Sequence, residues 1–420
     1  MGVEGSSVGA SALAPFAVRS FRFQWPADLA TSWAFEMEAL ILGWYVLSTT
    51  GSVEQMVAVA SLIWLGTLLS PFFGLAGDRF GARTLLCATR GAYALCAATL
   101  ATLTLSGLLE TWHVFLIATI NGLLRPSDTA MRYVMVGQTI RPEILMGAIG
   151  LTRTSADTAR VAGALTGTGG VALVGMGPAY AAVATLYVAS FLLSLGLAPP
   201  RARQGAVAAR AREVFSGLKQ GVIYVWRKPD LLGALCMAFL INLFAFPFTL
   251  GLLPYVAKEV FHMGQSGLGW LAAAAAIGAL IGSLAVSARM VRPRAARAML
   301  WAGAAWFAAV LLFGQTRSLP VALALLFFSG MAQGFCIPPI EAVLLRGTSE
   351  EMRGRVMGLR VLAVWGLPLG LLASGPVIAH FGFPAMALLY GCLALAATLA
   401  IGYGWRGALW HRAAPANSRA

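Results

Sequence analysis

The chain has 420 residues, 59% of them hydrophobic and 11% charged, with a formal net charge of +14 at pH 7. A soluble domain carries roughly 25% charged residues, so this composition excludes a water-coated globule and makes lipid the expected solvent for most of the surface. The basic excess is spread over short gaps between apolar runs, which argues against a nucleic-acid footprint.

Residues 1–20 are rich in Ser, Ala and Gly and show no basic start, apolar core and cleavage site, so no secretory signal is expected. Twelve stretches then reach the roughly 20 apolar residues that a crossing helix needs. They lie near 27–49, 54–76, 84–106, 111–131, 147–172, 178–198, 231–254, 267–289, 297–315, 319–341, 355–379 and 384–405. Backbone groups cannot stay unpaired in hydrocarbon, so each is expected to be helical. The expected fold is an all-α membrane protein with twelve transmembrane helices in two pseudo-symmetric six-helix bundles. Its parts are an N-terminal cytoplasmic tail (1–26), a first bundle (27–198), a linker (199–230), a second bundle (231–405) and a C-terminal cytoplasmic tail (406–420). In the linker, Val214, Leu218, Val222 and Val225 recur at helical spacing, predicting an interfacial amphipathic helix. The halves echo one another: Glu143, Gly150, Leu151 and Gly167 recur 208 residues later as Glu351, Gly358, Leu359 and Gly375.

Basic residues set the orientation. The tails and the even-numbered gaps carry nearly all of them, including Arg79, Arg83, Arg132, Arg210 and Arg353, whereas the odd gaps hold Lys258 and Arg317. The positive-inside rule therefore places both termini in the cytoplasm. Arg far outnumbers Lys and Ala is abundant, which suggests a GC-rich bacterial genome and the bacterial inner membrane. The cysteines Cys87, Cys96, Cys236, Cys336 and Cys392 sit in apolar stretches without metal-ligand spacing, predicting no disulfide and no metal site. Without a nucleotide loop or a nucleophile–base set, an enzyme is not expected.

The second span ends in Gly74-Leu75-Ala76-Gly77-Asp78-Arg79-Phe80-Gly81-Ala82-Arg83. In this position the run resembles the signature between helices 2 and 3 of the major facilitator superfamily. Glu38-Ala39-Leu40, Gly43-Trp44-Tyr45-Val46-Leu47 and Arg353-Gly354-Arg355-Val356-Met357-Gly358-Leu359 are similar to the branch containing the enterobactin exporter and macrolide efflux proteins. The resemblance implies a secondary transporter working by alternating access, in a branch that mostly exports small molecules with the proton gradient. It also implies a cytoplasmic gate of Gly74, Asp78, Arg79, Gly81 and Arg83. In that gate Asp78 faces the start of the eleventh helix, where Arg355 lies, and Arg132 joins from the fourth. Two features depart from drug–proton antiporters: Arg125 stands nearer the cytoplasmic end of the fourth span than their helix-4 arginine, and Gly163 to Gly167 lacks a proline.

Ionisable groups deep in a span are functional candidates by default. They are Glu36 and Glu38 in the first span and Asp157 and Arg160 in the fifth. Asp157 and Arg160 are three apart, hence neighbours on a helix face and candidates for a neutralised pair. Glu36 and Glu38 point to different sides, and Glu38 is expected to face the cavity and exchange protons there. Thr31, Tyr45, Asn121, Asn242, Gln333 and Trp365 are the further candidates for cavity contacts. The expected partners are a small-molecule substrate, protons and lipid, for a monomer with no nucleic acid and no cofactor. Proton-coupled export leads; a proton-coupled uptake symporter and a non-transporting sensor or scaffold on the same fold stay open.

Overall fold

The computed structural model describes residues 14–198, 211–287 and 295–410. The tail before Ala14, the basic start of the linker with Arg201, Arg203 and Arg210, the gap holding Arg292 and Arg294, and the tail after Trp410 lie outside the described residues. Within the described residues the regular elements are helices and no strand occurs. In chain order they are α1 (Arg19–Thr50), α2 (Val53–Leu62), α3 (Ser70–Phe80), α4 (Ala82–Leu105), α5 (Thr111–Thr139), α6 (Pro142–Val174), α7 (Met176–Leu195) and α8 (Ala211–Trp226). There follow α9 (Pro229–Leu240), α10 (Phe246–Leu250), α11 (Leu253–Tyr255), α12 (Gln265–Ser287), α13 (Ala295–Gln315), α14 (Leu319–Arg346), α15 (Glu350–Leu362), α16 (Gly366–Gly404) and α17 (Arg406–Trp410).

Seven segments are long and apolar enough to cross a membrane by length and composition: Ala82–Leu105, Met176–Leu195, Pro229–Leu250, Gln265–Val286, Ala295–Gln315, Leu319–Arg346 and Glu350–Gly404. The last is broken at Gly382, whose φ of 82° and ψ of 165° are not helical. The helices α1, α5 and α6, although long, are absent from that set. They are also the helices that carry Asp28, Glu36, Glu38, Arg125, Asp128, Arg132, Asp157 and Arg160.

Helix α1 begins well before the expected boundary at residue 27, with Pro26 inside it. The extra turns bury Phe21 against Val136, Ile140 and Ala148, which is why the helix continues through the proline. Helix α1 packs on α6 and α7, and α4 on α5 and α7; in the later half α12 and α13 pack on α14, and α13 on α16. The α12–α14 contact is nearly backbone to backbone. A Cβ at Gly278 would lie 2.0 Å from the Phe327 carbonyl oxygen, and one at Gly330 2.0 Å from that of Ala275. Small residues permit such approach where helix packing in lipid depends on close fit. The two halves meet through α6 with α12 and through α2 with α16.

Helix α8 covers the end of the linker and lies on α15, with Gly217 and Gly221 against Arg355. Of the predicted apolar stripe Val222 is exposed, Leu218 half-buried and Val225 buried, and the side chain of Val214 lies outside the described residues; Ile223 and Trp226 are also exposed. Its C-terminal end is tied down by Lys228, whose Nζ donates to the Tyr224 hydroxyl at 2.8 Å and to the Gly347 carbonyl at 2.9 Å. The Ser349 N–H also donates to Tyr224, at 3.2 Å. The Lys228 hydrogen bond, followed by those from Ser349, lowers the Tyr224 pKa from its ordinary value.

Candidate functional site

Glu36 and Glu38 are two residues apart on α1, so their side chains diverge by about 200°. Glu38 turns inward to the first half and is 4% exposed. Its carboxylate accepts from the Tyr180 hydroxyl at 2.5 Å, the Tyr187 hydroxyl at 2.8 Å and the Asn121 amide at 3.2 Å. Glu36 turns the other way and lines the cavity between the halves. The expectation that Glu38 faces the cavity is thus corrected. The two tyrosines of α7, which supply the donors that make its buried position tolerable, are more than 140 residues away in sequence and no pattern near Glu38 announces them.

The central cavity measures about 80 Å³ and is lined from the first half by Glu36, Arg125 and Arg160, and from the second by Pro254, Ala272 and Gln333. Arg160 pairs with Glu36 across the α1–α6 contact, Nε to Oε1 at 3.5 Å. The expected Asp157–Arg160 pair does not form. Asp157 lies 3.8 Å from Arg153 and accepts from the Ser283 hydroxyl at 3.4 Å. Helical spacing made both pairings possible, and tertiary packing chose between them.

Arg125 also reaches this cavity, contrary to the reading that set it nearer the cytoplasmic end. Its guanidinium carbon lies 3.6 Å from the Phe35 ring centroid and 3.9 Å from that of Trp64, so aromatic faces cover it from α1 and from the turn after α2. The signal available in the sequence is the rarity of Arg inside a span.

Of the remaining candidates, Gln333 lines the cavity and Thr31 borders a recess of about 180 Å³ that Arg125 also lines. Thr31 is also bonded to Ser190 at 2.5 Å, fastening α1 to α7. Asn121 serves Glu38. Tyr45 donates to the Leu109 carbonyl at 2.9 Å, at the other end of the helix. Asn242 donates to Ala238 of its own helix at 2.7 Å, in a π turn spanning Ile241–Ala245. Trp365, in the short turn Ala363–Trp365, is not among the residues that line the cavity. These last four are therefore corrected from cavity contacts to positions within the packing; Asn121, Tyr45 and Asn242 bond to polar partners close by, whereas the Trp365 indole N–H has none among the described residues.

Below the cavity lies an ion network that sequence reasoning missed. Arg90, fully buried, bonds Asp28, donates from Nε to Asp128 at 3.0 Å and from Nη1 to Ser194 at 2.8 Å. Arg132 bridges the same acids, 2.6 Å from Asp128 and 3.5 Å from Asp28, and donates to Ser32 at 3.0 Å. Two carboxylates and two guanidiniums balance, which is what burial of charge demands. Arg132, expected as a gate partner, is engaged here together with Arg90.

Among the described side chains of the gate motif, each makes its own local contact. The side chain of Asp78 lies outside the described residues. Gly81, at φ 85°, makes the turn from α3 to α4. Arg79 lies 5.4 Å from the Phe80 ring centroid, and Arg83 donates to the Leu195 carbonyl at the end of α7 at 2.7 Å, a favourable place for a cation. Arg355 rests on α8. At this arginine-rich end a groove separates α5 from α15. At the opposite end, Lys258 donates to the Leu47 carbonyl of α1 at 3.2 Å and α2 packs on α16, so the halves are closed there.

A family described as transmembrane secretion effector matches residues 10–418. The multidrug efflux pump Tap of Mycobacterium tuberculosis is 26% identical over 381 residues, covering 84% of this chain and 87% of that protein. The lysophospholipid transporter LplT of Yersinia enterocolitica is 25% identical over 350 residues, covering 80% of each. The D-xylose–proton symporter structure superposes with a TM-score of 0.72 at 12% identity, covering 91% of this chain and 96% of that one, a likeness of fold alone. With charged side chains of α1, α5 and α6 turned into a cavity between two helical halves, and a family match over nearly its whole length, the chain belongs to the transmembrane secretion effector family of the major facilitator superfamily, and is a multi-pass membrane transporter of small molecules rather than an enzyme.

Proposed function

We propose that this transporter exports a small organic molecule from the bacterial cytoplasm, with protons moving inward in exchange at Glu36. It acts as a monomer of twelve crossings in two six-helix halves, termini inside, that rock about the central cavity. The observation that carries the reading is the convergence of Glu36, Arg160 and Arg125 on a cavity both halves line. Groups of both signs suit a cargo bearing an acidic group, held by the arginines, and an amine or other donor, held by Glu36. A proton arriving at Glu36 removes the partner of that donor and releases the cargo. Arg160, loosely paired at 3.5 Å, then recovers Glu36 once the proton leaves to the cytoplasm. The efflux and lipid transporters among the relatives support an organic, amphiphilic cargo.

The two guanidiniums favour a second reading for a purely acidic cargo. Protonation of Glu36 would then free Arg160 and strengthen binding, giving symport. The sign of the pH effect separates the two. In inverted vesicles, a zwitterionic rhodamine-class dye should accumulate when the interior is acid, and Glu36→Gln should abolish that dependence. Accumulation that ignores the gradient, or that survives in Glu36→Gln, would reject proton exchange at this residue, and no flux at all would favour a sensor or scaffold.

A further inference from the structure

We propose that the groove between α5 and α15 is a docking channel for the apolar tail of a single-chain amphiphile drawn from the inner leaflet, with its acidic head reaching Arg125. This deepens, and rests on, the export reading above. The groove measures about 850 Å³ and is walled by Pro126 and Ala130 of α5, Leu218 of α8, and Met357, Val361 and Leu362 of α15. Ligand sites are typically about 300–1,000 Å³, so the groove is large enough for a cargo tail, whereas the central cavity, at about 80 Å³, has room for little beyond a head group.

Arg125 lines both spaces and is where they join. Phe35 and Trp64 cover its faces, and its buried Nη1 has no hydrogen-bond partner among the described residues. An edge of a guanidinium left with unused donors, its faces blocked, is shaped for a phosphate or carboxylate oxygen. Exposed Arg355 also lines the groove, a cation suited to the anionic surface of a leaflet. Val361 and Tyr133 are 41% and 43% exposed along the groove, so it is open at its side. Helix α15 turns glycines toward it: a Cβ at Gly354 meets nothing within 4 Å, and one at Gly358 meets Leu218 only at 3.7 Å. These glycines are not needed for close packing, and what their missing side chains leave is room.

The test uses the full chain in phosphatidylcholine liposomes with dodecyl phosphate carrying a diazirine at the tail end. Photolabel should concentrate on residues 126–133 and 357–362, and Gly358→Phe or, independently, Gly354→Phe should lower it roughly tenfold. Label spread evenly over outward residues such as Leu173 and Leu399, or unchanged in a folded variant, overturns the channel. Flux of the same probe is measured in parallel. Groove labelling without flux would remove the export reading and leave the channel; flux without groove labelling would do the reverse.

Discussion

Inside the first half, α1, α4, α5 and α7 enclose Asp28, Arg90, Asp128, Arg132 and Glu38. Inside the second half the comparable space is filled by Phe248, Trp306, Phe313, Phe383 and Tyr390, stacked edge to face or tilted, with Phe246 to Trp306 at 5.0 Å and Phe313 to Phe383 at 6.0 Å. Ion networks are direction-specific: a small displacement of one helix unpairs a charge in a medium that cannot solvate it. Aromatic and glycine-lined contacts hold shape through dispersion and close fit, without a charge to unpair. The second half also contains the π turns Ile241–Ala245 and Val256–Val260, a kind of irregularity that often accompanies functional sites. On the export reading proposed above, the first half carries the chemistry on a frame of paired charge, and the second packs against it through aromatic rings.

The largest effect that would break this comparison is expected at Arg90. Arg90→Leu leaves Asp28 and Asp128 with Arg132 alone, and should cost about 3–5 kcal/mol, read as a lowered melting temperature in detergent. A variant as stable as the parent would show that the network is not what holds the first half. In the second half, Gly278→Leu must part α12 from α14, since the Phe327 carbonyl cannot give way, and should cost about 1–3 kcal/mol in the same assay.

Glu38→Gln sharpens the distinction between frame and chemistry. Both tyrosine hydroxyls donate to the carboxylate, and an amide offers them one oxygen, so a loss of about 1–2 kcal/mol is expected. Dye flux should nevertheless keep its gradient dependence, unlike Glu36→Gln. Gradient-independent flux in both variants would return Glu38 to the coupling site.

The smallest effect is expected at the tie between α8 and the start of α15. Because Lys228 and Ser349 lower the Tyr224 pKa, the folded state favours the phenolate. The resulting stability is fully present above the ordinary tyrosine value of 10.0 and is lost as pH falls through the lowered folded value. Tyr224→Phe should remove a modest alkaline rise in melting temperature, and identical pH profiles for the two proteins would discount the tie.

The sequence alone determined that lipid is the solvent, that the chain is helical, where most helices lie, and which family signature it carries. Those conclusions depend on local composition and on the rule that backbone polar groups must pair within their own segment. It also singled out Glu36, Arg160 and Gln333, because charge or amide in an apolar run is conspicuous. The tertiary structure decided which way each of these points and what it meets. It sent Glu38 to Tyr180 and Tyr187, parted Asp157 from Arg160, drew Arg125 between Phe35 and Trp64, and buried Arg90 between two acids. Partner choice among charges in a low-dielectric interior depends on distances between helices far apart in sequence, and helical spacing within one segment cannot supply them.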